Sequence, residues 1–345
     1  MAAIRGLSTE IVAFSPALGY ASMLEPAGGL ADPSAMTAAK APQSESVKTV
    51  RSSRTFQIGE ATLTAAALDP GLYVVATPIG NLADVTLRAL AILAGADAIL
   101  AEDTRVSRAL LARYGIERPL SAYHEHNAAE ARPRALRRIA EGQALALISD
   151  AGTPLISDPG YKLVSEAIER GFAVIAAPGA SATLAALCVA GLPTDRFYFE
   201  GFLPPRSSAR RERINALAAV PGSLIFYEAA GRLAETLADL ALELGPRPAA
   251  VARELTKLHE EVRRGALDKL AAEYEASGAP RGEIVIVVGA AEERPAVSEA
   301  ALDREIAEQL TNLSVKDAAA AIAAKHGLPR RQIYARALAL AGAQR

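Results

Sequence analysis

Residues 72–90 read LYVVATPIGNLADVTLRAL, and the fold turns on them. An apolar run, Leu72 to Ala76, enters a turn carrying Pro78 and Gly80, and the turn opens into an apolar stretch with helical spacing. This is the outline of a strand–turn–helix unit that offers backbone N–H groups to a ligand. The Gly-x-Gly-x-x-Gly spacing of a dinucleotide site is missing, and so is a Gly-x-x-x-x-Gly-Lys-Ser/Thr phosphate loop. No nucleophile elbow is present either. The turn therefore belongs to some other nucleotide-like ligand.

The same alternation continues outward. Strand-like runs occupy residues 98–102, 144–149, 173–177, 223–227, 249–253 and 283–288, with helical stretches at 85–94, 161–170, 181–190 and 233–244. Several runs are apolar throughout rather than alternating, as expected of parallel strands covered on both faces. The pattern predicts an α/β protein with helices on both sides of its sheets. A boundary falls near Pro178, where a strand gives way to a small-residue helix before TDRFYFEGFLPP begins afresh. The expected organisation is a poorly structured extension over residues 1–68, α/β domains over 69–178 and 179–292, and a small helical domain over 293–345.

Composition bounds the function. With 345 residues and 51% hydrophobic content there is room for two domains. A formal charge of −2 gives no global attraction to polyanions, so nucleic-acid binding has to rest on local basic patches. One cysteine, Cys188, excludes an intramolecular disulfide and suits a reducing, cytoplasmic setting. No apolar run reaches the ~18–20 residues of a membrane span. The Ala-, Ser- and Pro-rich start lacks the ordered regions of a signal peptide.

Unusual residues collect where strands end: TPIGNL, EDTR, SDAGTPLISDPG, PGASA and ELTKLHEE. Singly, Asp103 or Asp158 reads as a helix cap and Gly80, Gly152 or Gly179 as a turn residue. Together they mark the carboxyl edge of a sheet, where open α/β folds bind ligands.

In order along the chain, LYVVATPIGNLADVTLRAL, AEDTRVSRALLARYGI, HEHN, LISDAGTPLISDPGYKLV, PGASA, GLPTDRFYFEGFLPPR, LIFYEAAGRL and ARELTKLHEE resemble the rRNA-methylating branch of the tetrapyrrole methylase superfamily, from about Leu72 to the C-terminus. That resemblance implies two α/β/α domains of the class III methyltransferase type with a small helical C-terminal domain, S-adenosylmethionine in the cleft between the domains, and a homodimer. The implied reaction is methylation of a cytidine 2'-hydroxyl in 16S rRNA of the small ribosomal subunit, and tetrapyrrole C-methylation on the same fold is the alternative. Ring-methylating members often carry Gly-x-Gly-x-Gly-Asp after the first strand. TPIGNLAD stands there instead, as in the rRNA branch.

Carried over residue by residue, the resemblance places Pro78 at the cofactor cleft and Ser149, Asp150, Ala151 and Ile156 in a loop around the methionine part. Ser181 and Ala182 fall at the domain junction, and Tyr227, Leu255 and Gly282 beside the adenosine. Methyl transfer to a sugar hydroxyl is an in-line displacement that benefits from a nearby base. Asp103, Glu125 with its flanking histidines, and Lys257 are the candidates, while Asp103 can equally hold Arg105 in an ion pair. His124 and His126, without a third ligand, do not make a metal site. For RNA, Arg206, Arg210, Arg211 and Arg213 form a basic arm, and Arg330 and Arg331 lie in a helix-turn-helix-like tail joined at 327–329. A solvated charged face is the alternative for both.

Overall fold

In a computed structural model of the protein, residues 54–291, 298–326 and 328–343 are described. Residues 1–53 of the expected extension, the expected domain start at 293, the joint residue Gly327 and the basic Arg345 lie outside the described residues.

Part of that extension is ordered. Strands β1 (Arg54–Ile58) and β2 (Ala61–Ala65) pair as an antiparallel hairpin. Phe56 is buried in the core of the first domain, and Arg54 binds Asp97 at 2.9 Å while donating to the Gly95 carbonyl. Arg54, Phe56 and Ile58 are too few to display a period, and their anchors lie some forty residues away, so the segment looks featureless in sequence.

The first domain follows the expected plan. Strands β3 (Gly71–Val75), β4 (Ala98–Ala101), β5 (Leu120–Ala122), β6 (Ala144–Ile148) and β7 (Val174–Ala177) form one sheet in the order β5-β4-β6-β3-β7, and every neighbouring pair is parallel. Helices α1 (Leu87–Gly95) and α2 (Thr104–Arg113) pack on one face, and α3 (Ala128–Ala140) and α4 (Tyr161–Glu169) on the other. Strand β6 explains its own composition: Ala144, Ala146 and Ile148 enter one core while Leu145 and Leu147 enter the opposite one. With both faces buried, no position is left for a polar residue.

The second domain departs from a parallel sheet. It comprises α5 (Ala182–Ala190), β8 (Phe197–Phe202), α6 (Ser207–Leu217), β9 (Ser223–Ala229), α7 (Leu233–Leu244), β10 (Pro248–Arg253), β11 (Glu261–Ala266), α8 (Leu267–Ser277) and β12 (Glu283–Val288). The order is β11-β10-β12-β9-β8, and only β8 and β9 run parallel. Burial on both faces gives continuous apolar runs whatever the strand direction, so composition could not tell the two apart. Connection length is the better guide: residues 254–260 join β10 to β11 with no crossover helix, which permits only antiparallel pairing. Helices α6, α7 and α8 cover one face of this sheet. Its other face meets α5 and also Ile79, from the turn after β3, so the two domains share a core.

Helices α9 (Glu299–Leu310), α10 (Val315–His326) and α11 (Arg330–Ala343) pack through Leu302, Ile306, Ile322 and Ile333 into a separate small core. Among the described residues no helix is long and apolar enough to cross a membrane.

Candidate active site

Parallel strands put their carboxyl ends on one edge, which gathers the loops after β3, β6 and β7. The TPIGNL turn is tied to the SDAGTPLISDPG loop by a two-way pairing: Thr77 N donates to Gly152 O at 2.9 Å and Gly152 N to Thr77 O at 3.0 Å. In the second sheet, antiparallel pairing sets Ala229 opposite Glu283 and Arg253 opposite Ile284, so the end of β9, the start of β12 and the end of β10 meet. Between these two edges lies a cavity of about 440 Å³.

Among the residues carried over to the donor cleft, Ala151, Ile156, Ser181, Ala182, Tyr227, Leu255 and Gly282 line this cavity. Pro78 is buried beside it, next to the lining residue Ile79. Ser149 is buried behind the loop, where its carbonyl receives the Thr77 hydroxyl at 3.3 Å. Asp150 is exposed and accepts the Asp103 backbone N–H at 2.8 Å, linking the loop after β6 to the loop after β4.

Several lining positions are locally constrained. Ser181 caps α5, its hydroxyl facing Leu184 N at 3.5 Å. A Cβ on Gly282, whose φ is 103°, would stand 2.4 Å from the Glu254 side chain. Leu155, Ser157, Glu254 and Thr256 hold left-handed φ values of 74°, 65°, 51° and 65°. These are the positive-φ non-glycine residues among those described, and they sit in the two loops that bracket the cavity. Such conformations cost about 1–3 kcal/mol each and persist where surrounding structure imposes them.

The proposed bases fare unevenly. Asp103 caps α2, accepting Arg105 N at 2.8 Å, and pairs with the Arg105 guanidinium at 2.7 Å, which lowers its pKa to about 2. A carboxylate that holds its charge so firmly is a poor proton acceptor. Lys257 pairs with Glu254 at 2.8 Å and Glu283 at 3.1 Å. Burial opposes its charge, but the bonds to the two carboxylates prevail and its pKa rises, so it stays an ammonium. Glu125 is exposed, precedes α3 and does not line the cavity. The residues brought to the cavity include one that was read from sequence only as a cap. Asp158 lines the cavity wall, and burial raises its pKa, with Asp150 adding to the rise and the Ser149 hydroxyl opposing it. Glu102, at the end of β4, is raised by burial and then by Asp158 and Asp150. Phe202 and Ile79 are further lining residues that were not singled out. Ile79 could have been found, because a large apolar residue inside a Pro/Gly turn needs a core to enter.

The basic arm is largely neutralised. Arg210 is 2% exposed and pairs with Asp239 at 2.6 Å, Arg211 pairs with Glu243 at 2.6 Å, and Arg213 with Glu200 at 2.6 Å. Their acidic partners lie on α7 and β8, distant in sequence, which is why the run looked unopposed. Arg210 is a packing residue of the second domain and does not reach a phosphate. Arg206, Arg330 and Arg331 are exposed, and no ion pair engages them among the described residues.

A profile of the Tetrapyrrole (Corrin/Porphyrin) Methylases matches residues 71–271. The chain belongs to the tetrapyrrole methylase family. Within it, this methylase is 52% identical over 284 residues to the ribosomal RNA small subunit methyltransferase I of Mesorhizobium japonicum, covering 82% of the present chain and 96% of the relative. The protein of that name from Escherichia coli O157:H7 is 44% identical over 269 residues, covering 77% and 94% respectively. Residues 296–341 match the RsmI C-terminal HTH domain. Among solved structures, a diphthine synthase superposes with a TM-score of 0.50 at 17% identity, over 63% of this chain and 89% of its own, a likeness of fold alone. The protein is thus an S-adenosylmethionine-dependent methyltransferase, and its relatives are named as ribosomal RNA small subunit methyltransferases. The cavity suits that donor: Ile79, Ile156, Leu255 and Val285 supply apolar walls, and Asp158 supplies negative charge toward a cationic molecule.

Proposed function

We propose that this methylase transfers a methyl group to the 2'-hydroxyl of a cytidine in 16S rRNA of the small ribosomal subunit, acting in the cytoplasm as a homodimer. The observation that carries the reading is the two-domain cavity, lined by the motif loops of a chain that matches rRNA methyltransferases over nearly their whole length. The donor sits against Ala151, Ile156, Ser181, Ala182, Tyr227, Leu255 and Gly282. Pro78, Ser149 and Asp150 shape the loops behind them. Bound there, it supplies an electrophilic methyl on a sulfonium. The protein supplies orientation, since holding oxygen, carbon and sulfur in line accounts for much of the rate. Arg206 and the exposed pair Arg330 and Arg331 contribute phosphate contacts.

Incubating the protein and labelled S-adenosylmethionine with small subunits from cells lacking the modification tests this, with free rRNA and a porphyrinogen in parallel. Label at a cytidine 2'-oxygen is the expected result; label on the porphyrinogen alone would overturn the reading.

A further inference from the structure

Strand β8 slips by one residue against β9. Phe199 stands opposite Ile225, but Gly201 stands opposite Phe226 and Phe202 opposite Tyr227, so Glu200 is an extra residue in the ladder. Side chains alternate faces along a strand, and such a slip reverses the alternation beyond it. Without the slip, Gly201 would oppose Tyr227, and Phe202 would point into the core under α6 and α7 that holds Phe226. With it, Phe202 joins Phe199 on the cavity side of the sheet, and both rings meet Tyr227 edge to face, with centroids 5.7 Å and 4.9 Å away.

The irregularity is held from several sides. Gly201 has a left-handed φ of 78°, and a Cβ there would stand 3.1 Å from the Ser157 hydroxyl, so the loop after β6 packs onto it. Glu200 is taken up by Arg213, at 2.6 Å and 2.7 Å. Beyond Phe202, Arg232 donates to the Leu203 carbonyl at 3.0 Å and to that of Pro204 at 3.3 Å, which fixes the turn leading to the exposed Arg206. The residue placed so firmly is nevertheless left open to solvent. Phe202 is 59% exposed, while Phe226 in the neighbouring strand is fully buried. Its ring forms the rim of the cavity, outside the set of residues against which the donor sits.

The geometry points to Phe202 as the platform on which the nucleobase of the target nucleotide stacks at the mouth of the cavity. The assignment deepens the rRNA reading above and rests on it. In a ribose the 2'-hydroxyl and the base are carried by adjacent carbons, so a hydroxyl brought in line with a methyl group inside the cavity leaves its own base at the entrance. A base drawn out of its strand loses its stacking neighbours, and an aromatic side chain replaces them. Arg206, four residues further along the fixed turn, then serves the adjoining phosphate.

The test measures methyl transfer to small subunits lacking the modification by wild type, Phe202→Ala, Phe202→Leu and Phe202→Tyr, with donor binding by calorimetry and oligomeric state by sedimentation on the same preparations. For Phe202→Ala the KM for the subunit should rise about 5- to 150-fold, the range of a lost base–aromatic stack. Donor affinity should stay within about threefold, which also reports an intact fold. Phe202→Tyr should recover most of the loss, and Phe202→Leu, apolar but not aromatic, little of it. A wild-type KM in Phe202→Ala overturns the assignment, and so does equal recovery by Leu and Tyr, which would mean a generic apolar contact. A loss that follows donor affinity or a changed oligomeric state also overturns it. A wild-type protein that labels no ribose overturns the rRNA reading itself, a result distinguishable from these because it needs no substitution.

Discussion

The side chain of Lys257 lies across Gly80: a Cβ on Gly80 would stand 2.4 Å from Lys257 Cγ. The turn after β3 thus receives a lysine stem from the second domain, and Glu254 and Glu283 hold the ammonium at its far end. Gly80→Ala should cost about 1–3 kcal/mol of stability through overpacking. In a Lys257→Ala background that cost should shrink, giving a coupling of about 0.5–3 kcal/mol between the two sites. Urea unfolding of the two single variants and the double variant measures it; strictly additive costs would mean that the two residues do not press on each other.

Arg210 and Arg206 sit four residues apart in the same basic run and should behave oppositely. Arg210→Ala leaves Asp239 without its buried partner and should lower stability by about 3–5 kcal/mol. Arg206→Ala, at an exposed position, should change stability by no more than about 0.5 kcal/mol while weakening RNA binding and reducing its salt dependence. Thermal melts paired with RNA titrations at two salt concentrations separate the effects.

Asp103 should titrate near pH 2 in the folded protein. Because its folded value lies below its unfolded one, whatever stability it confers is complete above about pH 4 and is lost as pH falls toward 2. Replacing Arg105 by Gln should return the titration toward the ordinary aspartate range, as followed by NMR of the carboxyl carbon. An unchanged midpoint would leave the depression to the helix N-terminus.

Glu102 has the opposite sign. Burial, with Asp158 and Asp150 nearby, raises its pKa, so its ionisation costs the fold progressively as pH rises from the unfolded value through the folded one. Glu102→Gln should therefore melt at a higher temperature than wild type at pH 7 to 8, and the gain should vanish in acid. A lower melting temperature at neutral pH would show that the charge is satisfied in the fold.

Much of this was legible in the chain. The central strands of both sheets announce themselves because burial on two faces demands unbroken apolar runs, and the motif loops fall where those runs end. Helix α3 was harder to see because Pro133 lies inside it, where a missing N–H normally stops a helix. The direction of the strands flanking β12 was hidden, since composition records burial and not polarity. The site was legible as a set of loops and not as a set of roles. Asp103 and Asp158 both look like caps beside a turn, and only the packing shows that one faces Arg105 and the other faces the cavity. The arginine run misled for a related reason: acids that neutralise it come from α7 and β8, and sequence distance conceals them.

The cavity draws its walls from both domains, with Ile79, Ala151 and Asp158 on one side and Tyr227, Leu255 and Gly282 on the other. A donor held there acts as a non-covalent rivet between two separately cored units. At a free concentration 100 times its dissociation constant it would add about 2.7 kcal/mol against the opening of either unit. The concentration of the methyl donor then sets how firmly the two units hold together as well as how fast the reaction runs, and the stabilisation begins to fall before the site ceases to be saturated.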